Sequence, residues 1–189
     1  DTLSFAAALK HALRQAPDVI MVGEMRDRDT IEAVLSAAET GHLVLSTLHT
    51  VNASQSVERI LWFFPEEQHT LIRRQLAMLL EGVGSQRLIP CSGGTGRVPA
   101  VELLLGTPTI REMLAAGRTG ELGKAIAEGS EFFGTMSFNQ SLVRLVKLGK
   151  IGIDDALAAS DDPEAIKLEV RGITKGGRGS AVYDQHGFR

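Results

Sequence analysis

Asp18-Val-Ile-Met-Val-Gly-Glu24-Met-Arg-Asp27 is the stretch whose reading decides the fold. Val19 to Val22 run together without a polar break, bounded by Pro17 and Gly23. So short and apolar a run predicts a strand buried on both faces of a parallel sheet, where the usual polar alternation is lost. The run ends on a glycine followed by an acid, which delivers Glu24 to the carboxyl end of the strand. In open α/β sheets that edge is where ligands bind. A carboxylate held there can polarise a water or help to hold a metal shell; it can equally cap the helix that follows.

Downstream, Asp27 or Asp29 can start a helix. Asp29 with Glu32 fits a capping box, and Ile31, Val34, Leu35 and Ala38 recur at helical spacing. Thr40-Gly41 ends that helix, and Leu43 to Thr47 forms a second short apolar run. Strand, helix and strand with tight links predict a βαβ unit with a parallel sheet and a right-handed crossover. Upstream, Ser4 can cap a helix with Phe5, Leu9, Ala12 and Leu13 on one face, stopped by Pro17.

The pattern then predicts helices over Ala53 to Leu61 and Glu66 to Leu80, joined by Trp62-Phe63-Phe64-Pro65, whose aromatics read as packing residues. Strands follow over Val83 to Ile89 and Arg97 to Leu105, around Ser92-Gly-Gly-Thr-Gly96. That turn lacks the Lys-Ser/Thr ending of a phosphate loop, so it reads as a hairpin loop. From Thr107 onward the pattern is helical, over Pro108 to Ala116, Gly120 to Glu128, Ser137 to Leu148, Asp154 to Ser160 and Pro163 to Val170. The organisation expected is an α/β core over residues 1–106, a helical module over 107–172 and a Gly-rich mobile tail over 173–189.

Composition is that of a globular chain, with 43% hydrophobic and 23% charged residues in 189. No apolar run approaches a membrane span. A net charge of −3 gives no bulk attraction to nucleic acid. Cys91 is the single cysteine, which excludes an internal disulfide and a cysteine zinc cluster. The chain starts at Asp1 without an initiator Met and almost directly with a helix pattern, as expected of a piece of a longer protein.

Four polar groups are expected around one sheet edge: Glu24, Arg26, His42 and His49. The two histidines flank the Leu43–Thr47 run and so lie near its opposite ends, unlike a His-x-x-x-His pair on a helix. His42 reaches the edge of Glu24 only if its entry loop folds toward a neighbouring element.

Gly23-Glu-Met-Arg-Asp27 resembles the Walker B box, and Thr40-Gly-His-Leu-Val-Leu-Ser-Thr-Leu-His-Thr50 the histidine box, of the type II/type IV secretion ATPase superfamily. The resemblance runs from Asp1 to about Gly172. It points to the pilus retraction branch, supported by Arg59-Ile-Leu-Trp-Phe-Phe-Pro-Glu-Glu67, Ser85-Gln-Arg-Leu88 and Met136-Ser-Phe-Asn-Gln-Ser-Leu142. The resemblance implies a partial RecA-like P-loop NTPase core, followed by a small helical module. It further implies a hexameric ring that hydrolyses ATP with Mg2+ and couples this to pilus disassembly and twitching motility. Such a motor is cytoplasmic, peripheral to the inner membrane, and works on a membrane platform protein.

Carried over by position, Glu24 is the catalytic acid that orients the attacking water. His42 and His49 sense the γ-phosphate and the neighbouring subunit, and Arg26 and Asp27 couple the site to the following helix. Ile110, Arg111, Met113 and Leu114 fall on the branch's retraction element; Ala115 and Ala116 stand where that element carries a charged pair. The place of a magnesium-binding Asp is taken by Gly23, so no metal ligand is assigned. No Gly-x-x-x-x-Gly-Lys-Ser/Thr occurs in the chain. Alone it is therefore expected to lack appreciable ATPase activity, since the triphosphate has no nest of backbone N–H groups. The alternatives are an accessory retraction paralogue, a pilus extension or type II secretion ATPase, or a non-catalytic ring or partner-binding module. Against the extension branch, Pro90-Cys91-Ser92 replaces a four-cysteine zinc segment.

Overall fold

The computed structural model describes residue 15 and residues 17–172. The helix expected after Ser4 and the tail over 173–189 lie outside the described residues. Strand β1 (Val19–Val22) pairs in parallel with β2 (Leu43–Ser46), with Val19 opposite Leu43 and Val22 opposite Ser46. Helix α1 (Arg28–Glu39) connects them. Its cap is Asp27, whose Oδ1 accepts from Thr30 N at 2.8 Å; Asp29, the other candidate, lies inside the first turn.

One face of the β1–β2 pair carries Ile20, Val22 and Val44 against Ala33, Val34 and Ala37 of α1. The opposite face is open among the described residues: Val19, Met21, Leu43 and Leu45 are 48–64% exposed. Among the described residues, the cover expected on both faces is present on one. An apolar run reports that a strand can be covered on both sides, whereas α1 covers only one.

Beyond β2 come α2 (Ala53–Trp62), α3 (Glu66–Leu79) and the strands β3 (Gly82–Pro90) and β4 (Arg97–Leu105), which pair around the glycine turn as a hairpin. Gly94 and Gly96 take φ of 74° and 80°, a left-handed backbone that glycine adopts without strain. The helices α4 (Pro108–Ala116), α5 (Leu122–Glu128), α6 (Ser130–Phe133), α7 (Phe138–Lys147), α8 (Ile153–Ala159) and α9 (Pro163–Val170) complete the chain. Phe64 is buried as expected, whereas Trp62 is 74% exposed and stacks with the Arg59 guanidinium.

Two compact units result, each discontinuous in sequence. One runs to Gln86 and resumes over Val101–Ser137; the other comprises Arg87–Ala100 and the residues from Phe138 onward. In the first, Ile110, Leu114, Leu122 and Ile126 share a core with Ile31, Leu35, Leu61, Ile72, Leu76 and Leu104. In the second, Phe138, Leu142, Val143, Ala156 and Ile166 pack around Ile89 and Ala100 of the hairpin. A helical module beginning at 107 is therefore not what the contacts outline. Helices α4 and α5 fill the apolar faces of α2 and α3, and only α7 to α9 gather around the far half of the hairpin.

Candidate functional site

Glu24 follows β1 by two residues, at the carboxyl edge of the sheet. Two links continue the pairing past the strands: Met25 N donates to Thr47 O at 3.1 Å, and Thr47 Oγ1 donates to Gly23 O at 2.7 Å. Glu24 is bracketed between these bonds. Its neighbour Met25 packs on the main core, and so does Leu48, the neighbour of His49. Each polar side chain therefore stands beside an apolar anchor that fixes its backbone.

The Glu24 carboxylate, 21% exposed, meets two partners. Arg26 places Nε and Nη2 each 2.6 Å from Oε2, and His49 places Nε2 3.0 Å from Oε1. An ionised carboxylate only accepts hydrogen bonds, so this contact places a proton on His49 Nε2. The hydrogen bond from Arg26 is the largest influence on the Glu24 carboxyl; with the nearby charges of Arg26 and His49 it outweighs burial and holds the group below the usual carboxylate range. Such a group is a strong acceptor and a weak base. Its oxygens offer about four lone-pair positions. Arg26 takes up Oε2 and His49 stands against Oε1, which keeps an acceptor position open.

His42 is not brought to this edge. The register sets Leu43 N on Asp18 O at 3.1 Å, which puts His42 at the amino end of β2, one strand length from Glu24. Its Nδ1 lies 3.1 Å from Ala37 O and 3.1 Å from Thr40 Oγ1, at the last turn of α1. A carbonyl accepts only, so Nδ1 carries the proton in that bond. The expected convergence of four groups is corrected to three, Glu24, Arg26 and His49. The entry loop does not swing His42 across because α1 holds it.

Asp27 caps α1 and so ties the site loop to the helix that holds His42 at its far end; the Thr30 N–H holds its carboxyl below the ordinary range. Of the retraction-element positions, Ile110 and Leu114 are buried and Met113 packs on the same core. Arg111 closes a carbonyl cluster: Nε donates to Gly106 O at 2.7 Å, and Nη1 to Ala77 O at 2.9 Å and Met78 O at 2.7 Å. Ile110 and Leu114 face inward, while Met113 is partly buried and Arg111, 30% exposed, also pairs with Glu81. Sequence reasoning missed Thr47, although the register legible in the two apolar runs already sets it opposite Gly23.

No group of three or more His, Cys, Asp or Glu side chains among the described residues is arranged to hold a metal ion. The open acceptor position on Glu24, between a guanidinium and an imidazole, can hold a small hydrogen-bond donor such as a water. Among the described residues no helix is long and apolar enough to cross a membrane.

The family model described as type II/IV secretion system protein matches residues 1–151. The chain is 42% identical over 171 residues to the type IV pilus ATPase PilU of Pseudomonas aeruginosa, covering 90% of this chain and 44% of that one. It is 43% identical over 164 residues to the type IV pilus retraction ATPase PilT of the same organism, covering 87% and 47%. A crystal structure of the pilus retraction motor PilT with bound ADP superposes with a TM-score of 0.76 at 45% identity, over 88% of this chain and 46% of that one. The chain thus spans a little under half the length of these relatives.

Proposed function

The chain belongs to the type II/IV secretion system protein family, and from that premise we propose that it carries the water-positioning half of an ATP-hydrolysing motor for pilus retraction and twitching motility. The observation that carries the reading is the carboxylate of Glu24, ionised, gripped by Arg26 and His49, and left with an open acceptor position. Phosphoryl transfer leaves little covalent chemistry to the protein, so positioning a water is the largest service one acid can render. ATP, held with Mg2+ by a phosphate loop outside these residues, supplies the phosphoanhydride and its leaving group.

Within that reading Glu24 accepts from the attacking water and fixes its lone-pair direction. Arg26 keeps the carboxylate ionised and immobile. His49 responds to whatever approaches Oε1, because both compete for the same oxygen. Asp27 transmits the position of the loop to α1. His42, held at the other end of β2, is assigned to sensing a neighbouring subunit. Ile110, Arg111, Met113 and Leu114 act as the internal support of the retraction element, leaving the exposed side of α4 for partners. The motor is read as a homo-oligomeric, hexameric ring at the cytoplasmic face of the inner membrane, working against a platform protein; names and fold of the relatives support this.

The second reading is a ring-packing or partner-binding module without turnover. Glu24→Gln decides between them in a protein that includes a phosphate loop. The expected result is retained nucleotide binding with turnover reduced about a hundredfold or more. Unchanged turnover overturns the role of Glu24.

A further inference from the structure

Val101-Glu-Leu-Leu-Leu105 is an apolar strand interrupted by one acid. Glu102 is only 7% exposed, in a place where an ionised carboxylate is expensive unless it is bonded. Its Oε1 accepts from Ala53 N at 2.7 Å, across 49 residues of sequence. Ala53 is the first residue of α2, whose free N–H groups and dipole both favour a negative charge. The cap residue Asn52 accepts from Gln55 N at 2.8 Å, so Glu102 and Asn52 satisfy different donors of the same turn.

The loop that ends in this turn begins at Thr47 and carries His49. Its upstream end is tied by Thr47 to the β1 side. Its downstream end is tied by Thr50 Oγ1, 2.6 Å from Ser56 Oγ, and by Glu102 at Ala53. His49 itself is 85% exposed on its side chain, so no packing around the ring fixes it. The position of its Nε2 against Glu24 is set by backbone, and the long-range tether that reaches the first helical N–H on the α2 side is Glu102.

We propose that Glu102 is a positioning residue for His49: by anchoring the first turn of α2 to β4 it fixes the loop that holds the imidazole against Glu24. The inference rests on the reading above, in which His49 works opposite Glu24. A buried acid serving only fold stability would leave His49 indifferent to it.

The test uses the imidazole Cε1–H resonances of the 189-residue chain, compared among wild type, Glu24→Gln, Glu102→Gln, Glu102→Asp and Glu102→Ala. Glu24→Gln marks where the His49 signal moves when its partner loses charge. Glu102→Asp withdraws the oxygen by one methylene and Glu102→Ala removes it; both are expected to shift His49 while His42 and His69 stay in place. Glu102→Gln keeps an acceptor for Ala53 N and is expected to restore the wild-type signal. A His49 signal that stays put in folded Glu102→Asp overturns the proposal, as does a common shift of His42, His49 and His69. Should Glu102→Ala not fold, Glu102→Asp decides the outcome. In an ATP-hydrolysing form of the protein, Glu102→Asp is expected to lower kcat about tenfold with KM little changed. If Glu24→Gln shifts His49 yet leaves turnover intact, it is the reading of Glu24 that fails, and the positioning by Glu102 stands.

Discussion

The hydroxyl of Thr47 donates to the carbonyl of Gly23 at 2.7 Å, while its own carbonyl accepts from Met25 N at 3.1 Å. One residue of β2's continuation therefore holds both sides of Glu24. Thr47→Val keeps the branched shape and removes one of these bonds. In an ATP-hydrolysing form of the protein it is expected to lower kcat about tenfold, with Thr47→Ser close to wild type. Equal rates for Thr47→Val and wild type count against the bracket.

Acid should destabilise this chain partly through its site loop. Glu24 is held below its ordinary range first by the Arg26 hydrogen bond, and Asp27 by the backbone N–H of Thr30. Both groups bind protons less readily folded than unfolded. Each therefore adds stability that is complete above the ordinary carboxylate range and is lost as the pH falls through the folded-state value. The thermal midpoint is expected to drop between about pH 5 and pH 3. Asp27→Asn should flatten that slope; an unaltered slope in the variant rules out the cap as a contributor.

Arg111 reaches the carbonyls of Ala77, Met78 and Gly106 with one guanidinium, a fork that lysine cannot reproduce. Arg111→Lys is expected to destabilise by about 2 kcal/mol and Arg111→Leu by about 3 kcal/mol, read from urea unfolding. A loss below about 0.5 kcal/mol would place the residue among ordinary surface positions.

Gly106 sits against the same cluster. A Cβ there would stand 2.4 Å from Leu80 O and 2.8 Å from Arg111 Nη2. Gly106→Ala is expected to destabilise by about 2 kcal/mol through overpacking, and by nearly as much once Arg111 is already Leu, because the nearest atom is the Leu80 backbone carbonyl. Strict additivity of the two changes would show that the clash falls on Leu80 alone.

A chain cut after Gly106 keeps Ile31, Leu35 and Leu61 but loses Ile110, Leu114, Leu122 and Ile126 from the same core. It is expected to show no cooperative thermal transition by calorimetry. A sharp transition from residues 1–106 would restore the domain boundary expected at that point.

The sequence made the site legible where chemistry depends on position along a strand. Four apolar residues, a glycine and an acid place Glu24, and the second run places His49 at the same edge; the pairing of Thr47 with Gly23 came from the register. The same counting puts His42 at the far end, where α1 binds it. Helical periodicity, by contrast, shows that a helix has an apolar face without naming what the face meets. That is why α4 and α5 were expected in a separate module and instead complete the core of α2 and α3. The face of β1 and β2 left open among the described residues was illegible for the same reason. Glu102 did leave a signal, a lone acid within an apolar strand, but its partner lies 49 residues away.

The chain passes between its two compact units three times, after Gln86, after Ala100 and after Ser137. Two of the three crossings fall on neighbouring strands of one hairpin, β3 and β4. No single proteolytic nick releases either unit. The second crossing falls two residues before Glu102 in the sequence.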